Sequence, residues 1–211
     1  MMRHCSSRAR GIALGVVLGL LSSAAFGLDY APRPEDVRPL LIGARVPIDV
    51  PILAMDGSPA SLQEELRKGP LVVVFFRQGW CPYCDIQLSE LRLIESDLNA
   101  IGYRVIAISP DPPNALKARV AKNELTYELY SDSSTALIRA FGIAFDASAA
   151  KPPAEVSRRA QEALRLMPVP AVYLIGTDGR VQFHYVNPDY RTRVPKEVLL
   201  AAARASIGRR E

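Results

Sequence analysis

Leu71-Val72-Val73-Val74-Phe75-Phe76-Arg77-Gln78-Gly79-Trp80-Cys81-Pro82-Tyr83-Cys84 is the stretch on which the fold turns. Its first six residues are apolar without interruption and rich in β-branched and aromatic side chains. Continuous rather than alternating apolarity predicts a central strand covered on both faces. Two cysteines three positions apart follow almost at once, and a helix opens with them. Leu88, Leu91, Ile94, Leu98 and Ile101 recur at gaps of three and four, which places them on one helical face, and Gly102 closes the run.

Working outward, Arg104–Ser109 predicts a second buried strand, ending in the loop Pro110-Asp111-Pro112-Pro113. Asn114 is a suitable N-cap for a helix through Lys122. Tyr127–Tyr130 reads as a short strand, and Ser133 or Ser134 as the cap of a helix reaching Phe141, stopped by Gly142. Upstream, Val46–Met55, the Asp56-Gly57 turn and a return at Ala60 predict a hairpin, followed by a short helix near Ser61–Arg67. Residues 146–166, rich in Ala, Pro and charge, read as a surface insertion with a helical middle. Ala171–Ile175, a Thr177-Asp178-Gly179 turn and Arg180–Val186 form a second hairpin. Pro195 suits the first turn of a closing helix that runs to about Ser206. Strand–helix–strand connections imply parallel neighbours, and the late hairpin adds antiparallel edges. The expected class is α/β, a mixed central sheet flanked by helices with an N-terminal hairpin extension.

The chain begins as a targeting segment does. Arg3, Arg8 and Arg10 precede an apolar run from Gly11 to Leu21 and small residues from Ser22 to Gly27. That order predicts a secretory signal peptide cut after Gly27, with Ala25 as a rival site. The apolar run is short of the roughly 20 residues a membrane-spanning helix needs. The expected organisation is a signal over 1–27, an extended Pro-rich lead-in over 28–42 and one domain over 43–211. Losing three arginines lowers the net charge from +4 to +1, which gives no reason to expect nucleic acid or an anionic membrane as partner. No cysteine follows the apolar run to carry a lipid, so no stable membrane anchor is expected. The periplasm or the exterior is the expected location.

Cleavage also removes Cys5 and His4, leaving Cys81, Cys84 and His184. Three ligands scattered in this way do not make a zinc site, so neither metal nor cofactor is expected. A cysteine at a helix start faces free backbone N–H groups and the positive end of the helix dipole, which favour a thiolate. Cys81 is therefore the expected nucleophile, exposed at the helix start. Cys84, one turn later and shielded, is the expected resolving thiol. The pair would cycle between dithiol and disulfide. His184 is expected to face outward from a sheet edge, with no catalytic role.

The stretch Phe75–Cys84 resembles the thioredoxin superfamily, and more narrowly its peroxiredoxin-like branch, the alkyl-hydroperoxide-reductase/thiol-specific-antioxidant (redoxin) proteins. Gly43–Pro47, Met55-Asp56-Gly57, Ile108–Asp111, Asn114–Leu125, Ser131-Asp132-Ser133 and Pro170–Gly179 are similar to that branch in the same order. The resemblance implies a thioredoxin-like fold. It also implies that Pro170 (Pro168 being the competitor) is a cis proline facing the cysteines, that Val169 and Pro170 pair with substrate backbone, and that Trp80 lies over the reactive sulfur. This chain departs from the branch in two ways. Gln78 stands where peroxidases of the branch carry a threonine, and Pro170 where they carry an arginine. Arg77 or Arg165 could replace that arginine spatially. The acid that thioredoxins bury beneath their cysteine pair also has no counterpart in Val72–Phe76.

These departures place thiol–disulfide exchange first among the expected activities. The alternative is a thiol peroxidase in which a hydroperoxide oxidises Cys81 and Cys84 resolves. A second alternative is a non-catalytic binding protein on the same fold. The expected partners are a disulfide or hydroperoxide substrate and a thiol–disulfide redox protein.

Overall fold

The computed structural model describes residues 29–77, 81–149 and 165–207. The expected signal over 1–27, Gln78–Trp80 and the middle of the 146–166 insertion therefore lie outside the described residues. Nine strands and five α-helices are described, after one 3-10 turn at Pro34–Asp36. They are β1 (Ile52–Leu53), β2 (Pro59–Ala60), α1 (Leu62–Arg67), β3 (Leu71–Phe75), α2 (Pro82–Ala100), β4 (Arg104–Ser109) and α3 (Pro113–Asn123). There follow β5 (Glu128–Ser131), α4 (Ala136–Ala140), β6 (Ala144–Asp146), β7 (Leu166–Pro168), β8 (Ala171–Ile175), β9 (Val181–Val186) and α5 (Lys196–Ile207).

Seven strands form one sheet in the order β2-β1-β5-β4-β3-β8-β9. β3 runs parallel to β4 and antiparallel to β8, while β4 runs parallel to β5. The sheet is mixed as expected, and β3 lies inside it. All five β3 residues are buried. Val73 and Phe75 enter one core cluster with α1 and α4, and Val72 and Val74 enter the other with α2, α3 and α5. The uninterrupted apolar run is thus explained by two covered faces.

Local chemistry sets most element ends. Ser61 and Glu64 form a reciprocal capping box that starts α1. Two expected caps are corrected. α3 begins one residue before Asn114, with Pro112 in the capping position, because its fixed φ and that of Pro113 already suit a helix start. α4 is capped by Asp132 rather than by Ser133 or Ser134 alone. The buried Asp132 carboxylate accepts from the backbone N–H groups of Leu137 (3.2 Å) and Ile138 (2.9 Å). The fifth strand starts at Glu128 and leaves Tyr127 outside it, its hydroxyl donating to the Leu88 carbonyl of α2.

The ends of the insertion are strands. β6 and β7 pair antiparallel, Ala144 with Pro168 and Asp146 with Leu166. The lead-in runs along the other edge of β6. Ala31 N–H donates to the Ala144 carbonyl, and Arg38 N–H to that of Gly142. Gly142, at φ +68°, is required there, since a Cβ would fall 2.0 Å from the Arg38 carbonyl oxygen.

Candidate active site

The site is assembled at the C-terminal end of β3. Phe75 there pairs with Ile108 of β4 and with Ala171 of β8, so the residues before β8 end up beside the start of α2. Cys81 is the N-cap of α2, with Pro82 in the first turn. The Cys81 carbonyl accepts from the N–H groups of Cys84 (3.1 Å) and Asp85 (3.3 Å), which winds the first turn and sets the two sulfurs on one side of it. Both cysteines are free thiols.

The expectation that Cys81 is exposed needs correction. Cys81 is 2% exposed and Cys84 fully buried. The segment joining β9 to α5, residues 187–194, comes against the helix start. Its Asn187 N–H donates to the Pro170 carbonyl (3.1 Å), anchoring it to the strand entry. Tyr190 meets Tyr83 of α2 edge-on, with ring centroids 5.8 Å apart, and the Arg77 guanidinium lies 4.9 Å from the Tyr190 ring centre. Val194 closes the same core cluster that contains both cysteines.

The segment also brings in a charge. Arg193 Nη2 lies 3.5 Å from Cys84 Sγ and 3.9 Å from Cys81 Sγ. Its Nη1 donates to the carbonyls of Tyr190 and of Thr192 (3.1 Å), which fixes the guanidinium against its own loop. Among the described residues Arg193 makes no ion pair with a carboxylate.

The two thiols are driven apart electrostatically. The Cys81 pKa is lowered to about 6, first by a hydrogen bond from the Cys84 thiol, then by the Cys84 N–H and by the positive charges of Arg193 and Arg77, all against the cost of burial. Cys84 is pushed up, first as donor to Cys81, then by burial and by the Cys81 charge, with Arg193 pulling the other way. At neutral pH the arrangement holds one thiolate and one thiol. It can attack an electrophilic oxygen or sulfur and then close a disulfide within one helical turn.

The fold gathers some of the other expected site residues here and leaves others apart. Arg165 is held by Asp146 (2.8 Å) at the base of the insertion and does not approach the sulfurs. Arg77 is buried, points Nη2 at Met167 Sδ (3.6 Å) and adds positive potential at Cys81. The Val169–Pro170 bond is trans, which corrects the expected cis proline. Val169 is fully buried, and its N–H donates to the Ile143 carbonyl (3.0 Å), beside the β6–β7 ladder. Trp80 lies outside the described residues. His184 sits half-buried on β9, stacked 5.8 Å from the Tyr173 ring, away from the cysteines' core cluster.

Residues 42–184 match the model of the AhpC/TSA family. The chain belongs to the AhpC/TSA family. It is 30% identical over 107 residues to the peroxiredoxin-named bcp protein of Haemophilus influenzae, covering 51% of this chain and 68% of that one. The solved peroxiredoxin Q of Xylella fastidiosa superposes with a TM-score of 0.62 at 19% identity, covering 80% of this chain and 98% of the other. The bacterioferritin comigratory protein of Xanthomonas campestris gives a TM-score of 0.60 at 18% identity, covering 81% and 99%. The fold is thioredoxin-like, and this AhpC/TSA member is a thiol-dependent oxidoreductase.

Sequence reasoning missed Arg193. It lies 112 positions from Cys81, after β9 rather than before β8, where the family resemblance directs the search. The sequence signal that could have found it is slight. Asp189-Tyr190-Arg191-Thr192-Arg193 is a polar run with an aromatic, placed between an edge strand and a helix that must return over the sheet.

Proposed function

We propose that the protein is a thiol peroxidase exported from the cytoplasm, with Cys81 as the nucleophile and Cys84 as the resolving thiol. The Cys81 thiolate attacks the terminal oxygen of a hydroperoxide, the O–O bond breaks, and the departing hydroxide or alkoxide takes a proton from solvent to leave as water or an alcohol. Cys81 is left as a sulfenic acid. Cys84 then attacks that sulfur, water departs, and a Cys81–Cys84 disulfide forms. An external thiol partner returns the pair to the dithiol state.

Arg193 carries this reading. Thiol–disulfide exchange ranks first from the sequence because the guanidinium that steadies a departing peroxide oxygen is missing from its place before β8. Arg193 supplies one from another element, within hydrogen-bonding reach of the Cys81 sulfur. Val169 supports the same order of preference, since an N–H engaged by Ile143 is not open to pair with a substrate peptide. The Xanthomonas campestris structure is described by its alkyl peroxide reduction activity, and that chemistry is the one we carry over. The three-residue cysteine spacing at a helix start favours disulfide exchange as the second reading.

Rapid mixing of the reduced protein with hydrogen peroxide, an alkyl hydroperoxide and a small disulfide, side by side, decides between them. Saturable oxidation by a hydroperoxide, faster than by the disulfide, is expected. A peroxide rate no greater than that of a free thiol of similar pKa would reject the peroxidase. Export is tested by N-terminal sequencing of the protein from the cell envelope, where a chain beginning at Leu28 is expected and an intact Met1 in the cytoplasm would reject it.

A further inference from the structure

Arg193 is nearer to Cys84 than to Cys81, 3.5 Å against 3.9 Å, and one nitrogen serves both sulfurs. A residue whose only task was to stabilise the attacking thiolate would have no need of the second contact. The second sulfur also has a chemical problem. Cys84 is fully buried, and the strand beneath it, Val72–Phe76, is apolar and buried throughout. Asp85, the nearest acid along the helix, is engaged by Arg119, Lys122 and Asn123. No carboxylate among those positions is free to take the Cys84 proton or to steady its loss.

We propose that Arg193 is the catalytic residue of both half-reactions, handing its positive charge from Cys81 to Cys84 once Cys81 has been oxidised. The proposal rests on the thiol-cycling chemistry given above and names the group that drives its second step. In the reduced enzyme the guanidinium faces the Cys81 thiolate, and Cys84 keeps its proton as the donor to that anion. Oxidation converts the Cys81 thiolate into a neutral sulfenic acid, or into a mixed disulfide if the oxidant is a disulfide. The hydrogen bond and the negative charge that held the proton on Cys84 are then gone. Arg193, which has no carboxylate partner among the described residues, is left against the Cys84 sulfur, 3.5 Å from its Nη2. The Cys84 proton leaves to the departing hydroxide, giving water, as the Cys84 sulfur bonds to the Cys81 sulfur and the S–O bond breaks. Two thiol-derived sulfurs and one water account for every atom, with no further oxidant needed.

The test isolates the second step in the full mature chain. Cys81 is converted to a mixed disulfide with 2,2′-dithiodipyridine, a neutral reagent that brings no charge of its own to Arg193. Release of the first thiopyridone reports attack by Cys81, and release of the second reports attack by Cys84. Arg193→Gln is expected to slow the second release about a hundredfold, the scale of losing one well-placed charge-stabilising donor. Arg193→Lys, which keeps a cation on a chain of similar length, is expected to stay within about tenfold of the parent. A second release unchanged in Arg193→Gln would overturn the proposal. So would equal slowing in Arg193→Gln and Arg193→Lys, since that pattern marks a structural role. A parallel arm at saturating peroxide, with dimedone trapping, should find a longer-lived Cys81 sulfenic acid in Arg193→Gln. Absence of any sulfenic acid in Cys84→Ser, which cannot resolve it, would reject the peroxidase reading alone, because the dithiodipyridine arm still reads Cys84 in the parent.

Discussion

Removing either half of the Asp85–Arg119 pair should have unequal consequences. Arg119 of α3 is buried, with 4% of its side chain exposed, and its guanidinium also lies 5.2 Å from the Phe76 ring centre. Asp85, 18% exposed, accepts from Arg119, from Lys122 Nζ (2.8 Å) and from Asn123 Nδ2 (3.2 Å). This pin joins α3 to the first turn of α2, one residue after Cys84. Asp85→Ala strands a buried cation, which typically costs about 3–5 kcal/mol. The partial cover of Asp85 and the remaining aromatic contact favour the lower end, about 3 kcal/mol. Arg119→Met removes the cation, keeps much of the apolar stem packed on Phe76, and leaves Asp85 with two donors. About 1 kcal/mol is expected there. Combining the two should cost less than the sum, since the methionine relieves the cation that Asp85→Ala would strand. The assay is urea unfolding of the reduced protein at neutral pH. With a slope of about 2 kcal/mol per molar, Asp85→Ala should lower the midpoint by about 1.5 M and Arg119→Met by about 0.5 M. Equal shifts for the two single variants, or an additive double variant, would refute the argument that the unpaired cation dominates.

Three further outcomes are expected. The rate at which Cys81 is oxidised by limiting peroxide should rise with pH through a midpoint of about 6 and then level off, because the reactive form is the thiolate; removing the Arg193 charge should move that midpoint upward, and a midpoint near 9 in the parent would contradict the electrostatics described. Tyr173→Phe should leave stability unchanged or raise it by about 1 kcal/mol, since the buried Tyr173 hydroxyl has no hydrogen-bond partner among the described residues while its ring contacts to Phe75 and Phe141 persist; a clear loss in thermal unfolding would reveal a partner. Asp132→Ala should cost about 2 kcal/mol in urea unfolding by leaving the Leu137 and Ile138 N–H groups unpaired at the start of α4, with the Cys81 oxidation rate unaffected; an altered oxidation rate would mean that α4 communicates with the cysteines.

Much of the fold is legible along the chain because it depends on short-range pattern. The Leu71–Phe76 run, the Leu88–Leu98 spacing and the Thr177-Asp178-Gly179 turn each specify an element from its own residues. The order of those elements then leaves few ways to pair the strands. The cysteine pair is legible for the same reason, since a helix start four residues long is a local object. Element ends are less so. Asp132 caps α4 from four residues upstream of Ala136, reaching across a turn whose Thr135 is left-handed at φ 59°. Adjacent serines gave a plausible but lesser answer.

Local residue pattern is enough to specify a mixed sheet with two cysteines, three positions apart, at the entry of α2. Tertiary structure decided the environment of the two sulfurs. The contact of Tyr190 with Tyr83, the engagement of Val169 by Ile143, and the approach of Arg193 all join segments far apart in the chain. Hydrophobic periodicity records which face of an element is covered but not which loop comes to lie over a given end. An arginine in a polar loop has the same local signature whether it points to water or to a buried thiolate. Here the antiparallel pairing of β8 with β3 and of β9 with β8 carries the chain back to the cysteine end of the sheet, and the return into α5 sets Arg193 against both sulfurs.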